Sequence, residues 1–235
     1  MSANKAWLSL VLLGVVLCES PATWPQSCKL VRSEFSGDKV FLATAINGRG
    51  EFWFGVDSAS NVSVIASSVQ NNLALSRLVV PMFSFTGLIL SPRPSLQVSG
   101  LESVRKSTRH KVDGLIGEEL FRHFVVQIDY EKATVTLCPD GTHPRGPLGN
   151  KIRIEARDLP IMGVVRAHMK AKDNTQFDAQ LQLDTGGSFA VELLSPFVAQ
   201  HPGVHTPGET QILGLGLTGS QTDIESTLAC LIHEG

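Results

Sequence analysis

The stretch Asn47-Gly48-Arg49-Gly50-Glu51-Phe52-Trp53-Phe54-Gly55-Val56-Asp57-Ser58-Ala59-Ser60 decides how this chain is read. Asn-Gly before an aromatic and β-branched run predicts a hairpin turn, because both residues accept the left-handed backbone that a tight turn requires. Residues 39–46, rich in Val, Phe, Ile and Thr, supply the strand before the turn, and residues 51–56 supply the one after it. The second strand runs directly into Asp57-Ser58, an acid and a hydroxyl followed by small residues. An Asp-Ser pair alone is an ordinary Asx turn. Its flanks make it a candidate site.

Outward from this hairpin, residues 62–65, 83–90, 125–130 and 133–137 are further β-type segments, with Gly, Asn, Asp or Pro in most of the gaps. Residues 66–75 and 118–124 predict short helices, the second with Glu118 and Glu119 in its first turn. The fold class is therefore all-β with minor helices. Leu115-Ile116-Gly117 reads as a buried strand end with a turn, and Asp113 and Asp129 read as turn or surface acids.

Residues 139–150 hold Pro139, Gly141, Pro144, Gly146, Pro147 and Gly149 and read as a linker. Beyond it the opening pattern returns. Residues 164–170, a polar turn at 172–174 and residues 177–183 lead into Asp184-Thr185-Gly186, as the first hairpin leads into Asp57-Ser58-Ala59. Strand, turn, strand and an Asp-hydroxyl pair in each half is a sign of duplication. Two such distant acids meet only where two similar lobes face each other.

These motifs resemble the aspartic peptidases of the pepsin and retropepsin type, most closely exported bacterial proteins with retropepsin-like lobes. The resemblance is carried by the two Asp motifs after matching hairpins, by Val112-Asp113-Gly114-Leu115-Ile116-Gly117, and by residues 124–130. It implies a two-lobed acid-protease fold with β-barrel lobes: a first lobe at 34–138, the linker at 139–150 and a second lobe at 151–235. It further implies an endopeptidase acting on a peptide or protein substrate without cofactor or metal. Asp57 and Asp184 would be its catalytic pair, one carboxylate acting as base toward water and the other as acid. Ser58 and Thr185 fall where the family places hydrogen bonds between the lobes, and Gly186 allows close backbone approach. Ala59 departs from the family's usual Gly. The flap over the cleft would come from the region 81–90, with Phe83 or Phe85 filling the place of the flap tyrosine. The second lobe reads as partial, because Ile212-Leu213-Gly214 follows Asp184 closely and looks like the start of a Gly-rich hairpin. Two other readings share this fold. One is an inactive peptide-binding relative disabled by Ala59 and a short second lobe. The other is a homodimer placing two Asp57 residues together, against which the duplicated Asp184 motif favours a monomer.

A lone Lys5, an apolar run from Ala6 to Leu17 and the small residues Ser20-Pro21-Ala22 form a signal-peptide pattern over residues 1–22. The run is shorter than the about 20 residues of a membrane span, so the expectation is export, periplasmic or secreted, with no stable span after removal. Of the four cysteines, Cys28 and Cys138 bracket the first lobe. A disulfide between them and two unpaired thiols are both compatible with the sequence. With 20 basic and 22 acidic residues, a net charge of −2 and no basic stripe, nucleic acid is excluded as a partner. His201 and His205 are separated by Pro202-Gly203, which breaks a helical metal pair, and no serine-hydrolase elbow or phosphate loop occurs.

Overall fold

The computed structural model describes residues 27–75, 81–91, 96–146, 149–154, 163–170, 174–187, 195–201, 210–216 and 219–224. Residues 1–22, expected to be a leader, and Cys18 and Cys230 lie outside the described residues. So do residues 172 and 173 of the polar turn.

The chain is mostly β. Its organising unit is the hairpin of β3 (Lys39–Ile46) and β4 (Arg49–Val56), paired from Phe41↔Gly55 to Ile46↔Arg49. Asn47 and Gly48 both turn through positive φ, 51° and 70°. Two residues in the left-handed region make a turn that matches the right-handed twist of the flanking strands. β3 is buried along nearly its whole length, so the KVFLATAI run reflects a strand covered on both faces.

Around this hairpin a curled sheet forms in the order β7 (Leu88–Ile89), β6 (Phe83–Phe85), β3, β4, β9 (Gly114–Ile116), β5 (Ser63–Ala66) and β8 (Leu96–Ser99). β6 and β7 extend the β3 side, and β2 (Ser33–Ser36) also pairs with β3. On the other side β9 runs parallel to β4 and antiparallel to β5, while β8 runs parallel to β5. The sheet encloses one core in which Phe41, Leu42, Phe54, Ile65, Phe83, Phe85 and Ile116 are fully or almost fully buried. Helices α1 (Ser67–Leu73), α2 (Glu102–Thr108) and α3 (Glu118–His123) lie between strands.

A second sheet orders β1 (Lys29–Val31), β11 (Thr134–Pro139) and β10 (Phe124–Asp129). A disulfide joins Cys28 to Cys138, tying the start of β1 to β11. Past the turn at Asp140, a further hairpin forms from β12 (Val164–Lys170) and β13 (Gln176–Gln182). Ala167, Met169, Phe177 and Ala179 make a small apolar cluster there, against which Phe197 of α4 (Ser195–Gln200) packs. β14 (Thr210–Gly216) and β15 (Gly219–Ile224) form a last hairpin with a register shift between Ile212 and Gly214. Ile212-Leu213-Gly214 thus opens a Gly-rich hairpin, as the sequence suggested.

Two expectations are corrected. Asp113 is buried, 5% exposed, rather than a turn or surface acid. Its Oδ2 accepts the Trp53 N–H at 3.0 Å, its own N–H donates to Trp53 O at 2.8 Å, and Lys111 Nζ neutralises it at 3.1 Å. It satisfies backbone where β4 and the approach to β9 do not pair regularly. Phe83 and Phe85, expected at a substrate flap, lie fully in the core, Phe83 with its ring 5.1 Å from that of Phe54. Neither presents a surface to a ligand. Asp129 does hold a surface turn, its carboxylate accepting from Lys132 N at 2.9 Å and Nζ at 2.7 Å.

Candidate active site

Asp57 is the first residue past β4. The sheet fixes its backbone, because Asp57 N–H donates to Ile116 O at 3.0 Å. The chain then turns sharply, and Asp57 Oδ1 accepts the N–H groups of Ala59 at 3.1 Å and Ser60 at 3.0 Å. This is an Asx turn, so the local habit of the residue is what orients the carboxylate. Leu115-Ile116-Gly117 passes behind the turn, where Glu118 N–H donates to Ser60 O at 2.8 Å. A Cβ on Gly117 would stand 2.6 Å from Ser60 O and 2.8 Å from Val62 O. Only a residue without a side chain fits so close to that backbone.

Asp184 stands in a matching place after β13. Leu183 N–H donates to Gly163 O at 2.8 Å, and Asp184 Oδ1 accepts Gly186 N–H at 2.7 Å. The two turns meet. A Cβ on Gly186 would lie 2.7 Å from Asp57 Cγ, which sets the second turn against the first carboxylate.

Four hydrogen bonds lock this meeting, and they are reciprocal. Ser58 Oγ donates to Leu183 O at 2.8 Å and accepts Thr185 N–H at 3.0 Å. Thr185 Oγ1 donates to Val56 O at 2.9 Å and accepts Ser58 N–H at 3.0 Å. Each hydroxyl takes the N–H of the other residue and gives its proton to the carbonyl two positions before it. A hydroxyl is the side-chain group able to do both at once from one atom. The exchange is two-fold in character although the two halves differ in sequence.

The two carboxylates are not equivalent. Burial pushes the Asp57 carboxyl above its ordinary value, and the charge of Asp184 pushes it further. The N–H donors of Ala59 and Ser60, together with Lys39, act in the opposite direction. Asp184 is exposed. The raised affinity of half-buried Asp57 for its proton favours placing a shared proton there, so one molecule beside the pair meets an acid and a base together.

The structure therefore brings together Asp57, Ser58, Ala59, Asp184, Thr185 and Gly186, and places Phe83 and Phe85 elsewhere. Ala59 has no positive φ, so its backbone does not require Gly. Gln182 was not anticipated; its Nε2 donates to Ala59 O at 3.4 Å. Lys39 was anticipated only as the start of a strand, and a lone cation opening an apolar run was the signal available. Among the described residues no group of three or more His, Cys, Asp and Glu is placed to hold a metal, and no helix is long and apolar enough to cross a membrane. Compared with known families, the sequence matches no family model, and no curated protein matches it.

Proposed function

We propose that this chain is an aspartic-type endopeptidase of the two-lobed acid-protease fold, hydrolysing peptide bonds with water activated by Asp57 and Asp184. The observation that carries this reading is the reciprocal exchange of Ser58 and Thr185, which sets two Asp turns from distant hairpins against each other. Extended substrate would lie across the paired turns. Burial and the Asp184 charge draw the shared proton toward Asp57, so Asp184 takes a proton from water as its oxygen attacks the carbonyl carbon. Asp57 protonates the carbonyl oxygen. Collapse of the resulting diol breaks the C–N bond, and a proton passes to the departing amine. The pair titrates as a unit, so the measured pH dependence belongs to both acids.

A monomer suits this reading, because Ser58 already has its partner Thr185 within the same chain. The Cys28 to Cys138 disulfide supports the exported setting, since such bonds persist where the surroundings are oxidising. The test is to incubate the full chain with an unfolded polypeptide across the acidic and neutral range and map cleavage by mass spectrometry. Internal cleavage, strongest on the acidic side and indifferent to chelator, is expected. Absence of cleavage at every pH, or its loss on adding chelator, rejects the proposal.

Ala59 bears on the same reading. Replacing it with Gly is expected to leave kcat/KM equal or raise it a few-fold, since a bare backbone admits substrate more closely. Both N–H bonds to Asp57 survive the change. Steady-state kinetics check this, and a large fall would mean the site is built around the methyl group.

A further inference from the structure

Lys39 opens β3, the strand paired with the one that delivers Asp57. The antiparallel register Phe41↔Gly55, continued by two residues, sets Lys39 level with Asp57, and residues level across such a pair share a face. Its Nζ is shielded from water and makes no hydrogen bond among the described residues. Its ion-pair contact is Asp38 Oδ1, at 3.8 Å and on a side chain that is 55% exposed. A loose pair of that kind contributes little, whereas removing an ammonium from water without hydrogen bonds is strongly unfavourable. A cation so placed calls for an explanation other than Asp38.

The charged groups acting on Lys39 are Asp38 on its own turn, Asp184 and Asp57. Burial lowers the ammonium's pKa and all three carboxylates oppose that. Tyr130, in the turn after β10, lies in the field of Asp38. Asp57 in turn feels Asp184, which raises it, and Lys39, which lowers it. Lys39 is therefore a cation that feels both acids and whose charge in turn acts on Asp57.

We propose that Lys39 is a positioning residue for the proton shared by Asp57 and Asp184: its dry ammonium, level with Asp57, favours the singly ionised pair and sets how acidic the medium has to be for catalysis. The ammonium touches no substrate. It acts through its field on the pair, an influence smaller than burial, the Asp184 charge and the two N–H donors at Asp57. An opposite charge stabilises the ionised carboxylate, so removing it makes both acids weaker. Both limbs of the pH profile then move to higher pH. The kinetic arm of this inference rests on the peptidase reading, and the spectroscopic arm does not.

The experiment compares the parent chain with Lys39→Met, which keeps length and apolar bulk, and with Lys39→Arg, which keeps the charge. The Asp57 carboxyl is followed by carbon NMR through a pH titration, and kcat/KM is measured over the same range. In Lys39→Met the Asp57 titration is expected to move up. On the alkaline limb this variant is expected to retain a few-fold more activity than the parent at equal pH, in keeping with the small share of Lys39 among the influences on Asp57. KM should change little, and Lys39→Arg should restore the parental profile. Circular dichroism and thermal melting establish that the variants are folded, and Lys39→Gln replaces the Met variant should that one fail to fold. An unmoved Asp57 titration in a folded charge-free variant overturns the inference even where the parent cleaves peptides. A shifted titration in a chain that cleaves nothing upholds it while rejecting the peptidase reading.

Discussion

Asp57→Asn and Asp184→Asn are each expected to lower peptide hydrolysis by at least about a thousandfold, the scale of a positioned acid or base. Asp184 alone lacks the acid that protonates the carbonyl oxygen, and Asp57 alone lacks the base that takes a proton from water. The double variant should therefore lose little more than either single one, because residues acting as a unit are strongly non-additive. Kinetics on the three purified variants decide the matter, and robust turnover by Asp184→Asn would remove Asp184 from the site.

Asp57→Asn also carries an expectation independent of turnover. The native fold raises the Asp57 carboxyl above its ordinary value of 3.8, chiefly through burial and then through the Asp184 charge. The folded chain thus holds that proton more tightly than the unfolded chain. Ionising it weakens the fold as pH rises from the ordinary carboxylate value through the raised one. The Asn side chain never ionises, and its carbonyl can still accept from Ala59 and Ser60. Its melting temperature should exceed that of the parent at neutral pH, and the gap should close on acidification. Equal melting at both pH values would mean that Asp57 is not buried as described.

The second large effect belongs to Thr185→Val. Valine fills the same space but leaves Ser58 N–H without an acceptor and Val56 O without its donor. Ser58 is 9% exposed, so water does not readily replace what is lost. Unsatisfied polar groups of this kind cost about 1–3 kcal/mol each, and the variant should lose roughly 2–4 kcal/mol in denaturant unfolding. The larger consequence is in activity. With two of the four bonds between the turns gone, the acids no longer hold a fixed separation, and a displacement near 1 Å can cost about a hundredfold in rate. Thr185→Ser retains the hydroxyl and should stay close to the parent in both measurements. A Val variant with parental stability and turnover would show that the reciprocal bonds do not organise the site.

Much of this was legible from local residues because it is decided locally. Asn47-Gly48 specifies a turn through the φ values those two residues tolerate, and β3, β12 and α3 lie within a residue of where the pattern put them. The Asx turn of Asp57 is likewise a short-range preference, written in an acid followed by small residues. Other elements were not legible. β1, β2 and β8 are short and carry polar residues, and β11, β3 and β5 supply the edges on which they pair. Cys28 and Cys138 left two outcomes open, and the disulfide was settled by bringing β1 beside β11.

Residue type alone misplaced Asp113 and the two phenylalanines, because burial is a property of the whole sheet. An acid beside Gly114 looks like a turn until the irregular joint between β4 and β9 calls for an acceptor at Trp53 N–H. Phe83 and Phe85 look available until the sheet curls over them. Lys39 gave the least warning, since a cation at a strand start is usually solvated and only the register with β4 brings it level with Asp57. By itself the sequence determined the all-β class, the first hairpin and two Asp-hydroxyl turns of matching form, each a matter of backbone preference over a few residues. Tertiary structure alone decided that the turns meet, that Asp57 is half-buried and Asp184 exposed, and that a dry ammonium acts on Asp57, because distance, desolvation and electric field arise only when remote segments are packed together.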